Sequence, residues 1–109
     1  MARTIAEADW KVLRRLHPLA LERFCERVLA EIEQVMQDRA RSAHQRYVEV
    51  FGIVERRDRD VARLFDDLRR SQALTMLIGI RAEGLVSDEE LSALSPETRN
   101  VIEMLLRSA

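Results

Sequence analysis

The spacing of apolar residues along the chain is helical almost throughout. Apolar side chains recur three and four residues apart, which is the period of an amphipathic α-helix. No stretch alternates apolar and polar residues for long enough to indicate a β-strand. The pattern therefore predicts an all-α fold, a bundle of about five to six helices that forms a single helical domain over residues 1–109. A long central helical hairpin is one arrangement that this bundle can have.

The first predicted helix is short. Thr4 and Glu7 have the spacing of a capping box, which opens a helix. His17-Pro18 is expected to end it, because proline has no amide proton and disfavours helical geometry in the preceding residue. A second helix is expected to begin at Pro18, since proline suits the first turn of a helix.

The next turn decides whether the chain can complete its fold alone. The polar segment Arg39 to Ser42 predicts a turn, and Ser42 with Gln45 forms a second possible capping box. The apolar residues on both sides of this turn keep nearly the same helical register, so a single continuous helix from Pro18 to Arg57, a rod, is the alternative. A rod of about 40 residues would be about 60 Å long and would require a partner chain.

The remaining boundaries are marked by residues that favour helix ends. These are Asp58 or Asp60, Gly84, Ser87 with Glu90, and Ser95 with Pro96. They predict a helix from Asp58 or Asp60 to about Arg81, a short helix after Ser87 and a last helix after Ser95.

Two apolar stripes are candidates for the core or for an interface. The stripe on the second predicted helix is expected to be core: Leu21, Phe24, Cys25, Val28, Ile32, Val35 and Met36. On the third helix, Tyr47, Phe51 and Val54 are the candidate seam of a homodimer, with packing inside one chain as the alternative.

The sequence contains no recognisable catalytic or metal-binding pattern. His17, Cys25 and His44 lack the spacing of a helical zinc site, and a lone cysteine on an apolar stripe usually packs as a small hydrophobe. The three glycines are too far apart for a phosphate-binding loop. We therefore expect no catalytic residue, no metal and no cofactor.

Charge gives little support for nucleic-acid binding. The chain has 18 Lys and Arg residues against 19 Asp and Glu residues, a net charge of −1. Arg39, Arg41 and Arg46 form a small basic cluster, which is the alternative functional surface. A further set of bases repeats every seven residues with acids between them, which predicts neutralising ion pairs: Arg56, Asp60, Arg63, Asp67 and Arg70.

The chain has no apolar run long enough for a membrane span, and its first residues lack a secretory apolar segment. The single cysteine fits a reducing compartment. These features predict a cytoplasmic protein.

Two segments resemble known proteins. The segment LIGIRAEGLVSDEELSAL, residues 77–94, resembles the helical hairpin of the bacterial short C-terminal domain family. The matching residues are Gly84, Leu85, Val86, Ser87, Glu89, Glu90 and Leu91. The block HQRYVEVFGIVERRDRDVARLFDDLRRSQA resembles small proteobacterial helical proteins that carry no established function, which implies a bacterial origin and supplies no mechanism.

The function that follows from these patterns is binding. We expect a non-enzymatic helical scaffold or regulatory protein that acts by protein-protein interaction and forms a homodimer. Nucleic-acid binding through Arg39, Arg41 and Arg46 is the alternative.

Overall fold

A computed structural model describes residues 4–108, and every regular element in this range is helical. The helices are α1 Glu7–Gln37, α2 Ala43–Phe65, α3 Ala73–Ala82, α4 Asp88–Leu91 and α5 Pro96–Ser108, with a 3-10 turn at Arg70–Gln72 before α3. The all-α prediction is confirmed.

The first helix runs straight through the position where the sequence predicts a break. Helix α1 has 31 residues and includes Pro18, so the predicted boundary at His17-Pro18 is wrong. Proline costs the helix a backbone hydrogen bond, but Leu16 and Ala20 are buried in the core on either side of it. His17 also donates from Nε2 to the carbonyl oxygen of Phe65 at 3.0 Å, which fixes this turn against the end of α2.

The predicted capping box at the start of α1 is also wrong. Ala6 occupies the N-cap position and makes no side-chain capping bond. Arg70 instead holds this end, because its guanidinium donates to the Ile5 carbonyl oxygen at 2.9 Å and to the Glu7 carboxylate at 2.8 Å.

The turn predicted near residues 39–42 is present, and it makes α1 and α2 an antiparallel helical hairpin. The Ser42 hydroxyl accepts from the Gln45 amide at 3.1 Å, and the Gln45 side chain accepts from the Ser42 amide at 2.8 Å. Arg46 closes the other side of the turn by donating to the Met36 carbonyl oxygen at 2.8 Å. The continuous rod from Pro18 to Arg57 is therefore wrong.

Helix α2 continues through the polar run in which the sequence predicts a new helix start. Asp58 and Asp60 lie inside α2, and the chain leaves the helix only after Phe65. The predicted helix from Asp58 or Asp60 to about Arg81 is therefore wrong, because its two halves belong to α2 and α3 and are separated by residues 66–72. Asp60 accepts from Arg57 at 3.1 Å and from Arg63 at 3.4 Å. The run is thus a charged helical surface, which needs no break because it contains neither glycine nor proline.

The junction between α3 and α4 forms as predicted. Gly84 has a positive φ of 70°, and the amide of Leu85 donates to the Ile80 carbonyl oxygen at 2.9 Å, the arrangement that closes a helix end. The Ser87 hydroxyl accepts from the Glu90 amide at 3.1 Å, which completes the predicted capping box.

Arg23 fixes this junction against α1. Its guanidinium donates to both carboxylate oxygens of Glu90, at 2.8 and 2.9 Å, and to the Leu85 carbonyl oxygen at 2.9 Å. The hydrogen bonds from Arg23 lower the pKa of Glu90 to about 2. Glu90, the third helical residue of α4 and the second half of its capping box, is therefore also the ionic link of α4 to α1.

The main core lies at one end of the hairpin, where α3, α4 and α5 pack against the first half of α1. Its buried residues come from all five helices and the loops between them. They are Ile5, Val12, Leu13, Leu16, Ala20, Phe24, Leu64, Phe65, Ala73, Met76, Leu77, Ile80, Leu85, Val86, Leu91, Leu94 and Ile102.

Gly84→Ala is expected to lower the free energy of unfolding by about 1 kcal/mol, because an alanine at positive φ is strained. Chemical denaturation would measure this loss. Gly52→Ala is the matched control, since Gly52 lies inside α2 and alanine favours a helix interior. Equal losses in the two variants would contradict the role given to the backbone of Gly84.

Candidate interaction surface

The hairpin extends beyond the main core. Helix α1 has no buried residue after Phe24, and Ile53 is the only buried residue of α2 before Leu64. We call residues 25–37 and 43–56 the distal hairpin. It contributes to the 52 Å long dimension of the molecule, against 27 and 26 Å in the other two.

Large apolar side chains are exposed on both helices of the distal hairpin. Their exposed fractions are 64% for Leu29, 55% for Met36, 71% for Tyr47, 52% for Val48, 57% for Phe51 and 48% for Val54. Val48 lies apart from the others, because it is about 100° around α2 from Tyr47. Ile32 is half-buried and lies about one helical turn from Leu29 and one from Met36. The six residues that we call the hairpin face are Leu29, Ile32 and Met36 of α1 and Tyr47, Phe51 and Val54 of α2.

The two halves of the hairpin face lie on the same side of the hairpin. On α1, Leu29 and Met36 are roughly 180° around the helix from Arg27 and Gln34, at about 100° per residue. On α2, the row that contains Tyr47, Phe51 and Val54 lies on the opposite side of the helix from Arg56 and Arg63. These four polar residues line the grooves on one side of the hairpin, together with Glu31. The apolar rows therefore share the other side.

The polar side of the hairpin is held by ion pairs. Arg57 of α2 donates to Glu31 of α1 at 3.0 and 3.2 Å and to Asp60 at 3.1 Å. These hydrogen bonds from Arg57 hold the pKa of Glu31 and of Asp60 below their usual values. The two helices are thus joined along one side and apolar along the other.

The candidate seam residues Tyr47, Phe51 and Val54 are exposed, so the alternative that they pack inside the chain is wrong. The core predicted for the stripe on the second predicted helix is confirmed only at its first half. Phe24 is buried in the main core, and Leu21 and Val28 pack against that core. Met36 is exposed and lies outside the core, and the other members of the stripe are half-buried: Cys25, Ile32 and Val35. Spacing identified a common face but not whether another element covers it.

The basic cluster is largely engaged within the chain. Arg41 forms an ion pair with Glu49. Arg46 donates to the carbonyl oxygens of Met36 and Arg41. Arg39 is exposed and makes no hydrogen bond or ion pair with any residue in the range 4–108. One of the three arginines is therefore available to a phosphate without breaking an existing contact.

Part of the ion-pair ladder predicted with heptad spacing forms: the predicted pair between Asp60 and Arg63 is present. Asp60 pairs with Arg57 and Arg63, whereas Asp67 lies beyond the end of α2 and pairs with Arg69 at 2.6 Å. The helix ends at Phe65, so the register that would place Asp67 between Arg63 and Arg70 is lost.

The three candidate ligand residues are far from forming one site. His17 binds the end of α2, Cys25 is half-buried on α1, and His44 is exposed in the first turn of α2. Across residues 4–108, no group of three or more His, Cys, Asp or Glu side chains is arranged to hold a metal ion. None of the helices in the same range is both long enough and apolar enough to cross a membrane.

A buried carboxylate that the sequence did not single out joins the two ends of the chain. Asp9 is 1% exposed. It accepts from the Ser95 amide and hydroxyl, both at 2.7 Å, and from the Thr98 hydroxyl at 2.6 Å. The contact places a negative charge at the N-terminus of α5, where the helix dipole favours it. The neighbouring cleft, lined by Ile5, Leu74 and Val101 among others, is mainly apolar.

Comparison of the chain with protein-family models, with curated proteins and with solved structures finds no match. The resemblances described above therefore remain sequence resemblances, and the hairpin face is interpreted from its own chemistry.

Proposed function

We propose that this protein is a non-enzymatic interaction protein, a scaffold or regulator, which self-associates through the hairpin face. The observation that supports the proposal is the apolar surface that the chain leaves uncovered on one side of the hairpin. An aromatic side chain has about 200 Å² of surface. Because only two of the six residues are aromatic and the other four are smaller, this exposed surface is on the order of 500 Å². A stable interface buries about 800 Å² on each partner, so the hairpin face supplies most of one side.

The shape of this surface also fits a helical partner. Two antiparallel helices leave a shallow groove between them, and side chains of a further helix pack into such grooves. The hairpin of a second copy would complete a four-helix arrangement of the kind that buries apolar rows in bundles. The chain would then complete the packing of its distal hairpin by association.

Light scattering at tens of micromolar protein tests this proposal. We expect a dimer for the wild-type chain, and we expect Tyr47→Glu with Phe51→Glu to raise the dimer dissociation constant at least about 30-fold. Met104→Glu is the matched control, because Met104 is 51% exposed but lies on α5. A wild-type chain that stays monomeric at these concentrations would contradict the proposal.

A further inference from the structure

An acidic rim borders the hairpin face on α1 and α2. Its five members are exposed carboxylates: Glu22, Glu26 and Glu33 of α1 and Glu55 and Asp58 of α2. On α1 the first three share a row with Leu29, because the four residues are spaced by four, three and four positions. On α2, Asp58 follows Val54 by one turn in the row of Tyr47. Glu22, Glu26 and Glu33 therefore border the apolar surface along α1, and Glu55 and Asp58 lie on α2 at the end of that surface nearest the main core.

None of these five carboxylates forms an ion pair with another residue of the range 4–108. Four arginines of the hairpin form hydrogen bonds away from the rim. Arg23 contacts α4, and Arg27 contacts the loop before α4. Arg46 contacts the turn between α1 and α2, and Arg57 contacts the polar side of the hairpin. Arg59 follows Glu55 by one turn on the outer edge of α2 but forms no ion pair with it, and the five carboxylates together with Arg59 carry a net charge of −4.

This charge pattern is unfavourable for a second copy. Two hairpin faces can meet with α1 on α1 or with α1 on α2 of the other copy, and either arrangement brings acidic edges together. Like charges facing each other across an interface oppose association and select against that partner. A second copy therefore fits the apolar surface but not its border.

A cationic amphipathic helix fits both parts of the surface. Its apolar row would lie in the groove between α1 and α2, and its Lys and Arg side chains would reach the carboxylates of the rim. The segment from Cys25 to Met36 is about 17 Å long, which matches about 12 residues of a bound helix. The row on that helix needs apolar anchors at positions i, i+3 or i+4, and i+7.

We infer that the preferred occupant of the hairpin face is a cationic amphipathic helix of another protein, which displaces the second copy from the same apolar surface. The inference rests on the proposed function, because it requires the hairpin face to be an interface. It adds the chemistry of the partner: leucine-like anchors in one row, flanked by lysine or arginine.

Two synthetic 16-residue peptides test the inference with the full chain. Both carry the same leucine row, and one has lysine and the other glutamate at the flanking positions. We expect the lysine peptide to bind at least about tenfold more tightly, to weaken as salt screens the ion pairs, and to convert dimers into one-to-one complexes. Fluorescence anisotropy and light scattering measure these outcomes.

Paired variants separate the rim from a general preference for positive charge. Glu26→Lys with Glu33→Lys is expected to remove the preference for the lysine peptide. Asp66→Lys with Glu103→Lys changes the same net charge at exposed positions outside the rim and should leave it unchanged. Tyr47→Glu with Phe51→Glu should abolish binding of either peptide, and thermal melting checks that each variant is folded.

The possible failures have different meanings. Equal binding of the two peptides, or an equal effect of both charge-reversal pairs, would overturn the inference and leave the proposed function standing. A dimer that binds neither peptide would do the same. A chain that remains monomeric and binds neither peptide would overturn both.

Discussion

Asp9→Asn is expected to lower the free energy of unfolding by about 3 kcal/mol. Asp9 is almost fully buried and accepts three hydrogen bonds from Ser95 and Thr98. An asparagine can keep its one acceptor oxygen on the Ser95 amide, but it places an NH2 donor where the carboxylate accepts from the Ser95 and Thr98 hydroxyls. Both hydroxyls must then reverse to accept, and two charge-assisted hydrogen bonds become neutral ones. The variant also removes a negative charge from the N-terminus of α5. Urea denaturation at neutral pH measures the loss.

The pH dependence of this effect has a defined sign. Burial alone would raise the pKa of Asp9, but the hydrogen bonds from Thr98 and Ser95 outweigh burial and hold it below 3.8. A carboxylate with a lowered pKa in the folded state stabilises the fold above its unfolded pKa, and this stabilisation is lost as the pH falls through the folded value. The difference in the free energy of unfolding between wild type and Asp9→Asn should therefore be constant from about pH 5 to 8 and shrink below about pH 4.

Glu97→Gln provides the comparison for Asp9, because Glu97 is an exposed acid in the first turn of the same helix. Its effect should stay within about 0.5 kcal/mol. Identical unfolding curves for wild type and Asp9→Asn would mean that the link between α1 and α5 adds no stability.

Helix ends were predictable where the residues that satisfy them are close in sequence. Ser42 with Gln45 and Ser87 with Glu90 each supply both halves of a capping box within four residues. Gly84 needs only its own positive φ to close α3. Such signals depend on local backbone chemistry, so the sequence contains all of the required information.

The failed boundaries depend on distant contacts. Pro18 would favour a break in an isolated helix, but Leu16 and Ala20 are buried on either side of it in the core. Asp9 was not identified from the sequence for the same reason, because its partners Ser95 and Thr98 lie 86 and 89 residues away. No local pattern indicates which buried side chain a carboxylate will meet.

The hairpin face was only partly predictable for a related reason. Heptad-like spacing placed Tyr47, Phe51 and Val54 in one row, which the structure retains. Whether that row is covered depends on where α3, α4 and α5 pack, and they pack at the other end of the hairpin. Leu29 was missed because it belongs to a row that is otherwise acidic, with Glu22, Glu26 and Glu33.

Ile53→Ala is expected to destabilise the distal hairpin by about 3 kcal/mol, the usual cost of truncating a buried isoleucine. Ile53 is 2% exposed but does not belong to the main core cluster. It is also the only buried residue in the distal hairpin within the described range. The loss should therefore appear as local unfolding rather than as equal destabilisation of the whole chain.

Hydrogen exchange measures where the effect of Ile53→Ala appears. Amides of residues 25–37 and 43–56 should exchange about 100-fold faster, while amides of α3 should keep their protection. Val48→Ala is the matched control, because Val48 is 52% exposed and lies on α2 outside the hairpin face. A uniform acceleration in all helices would show that the hairpin and the main core unfold together. A local effect would instead show that the distal hairpin is the least stable part of the molecule. A partner that binds the hairpin face would then stabilise this part, because it binds only when the distal hairpin is folded.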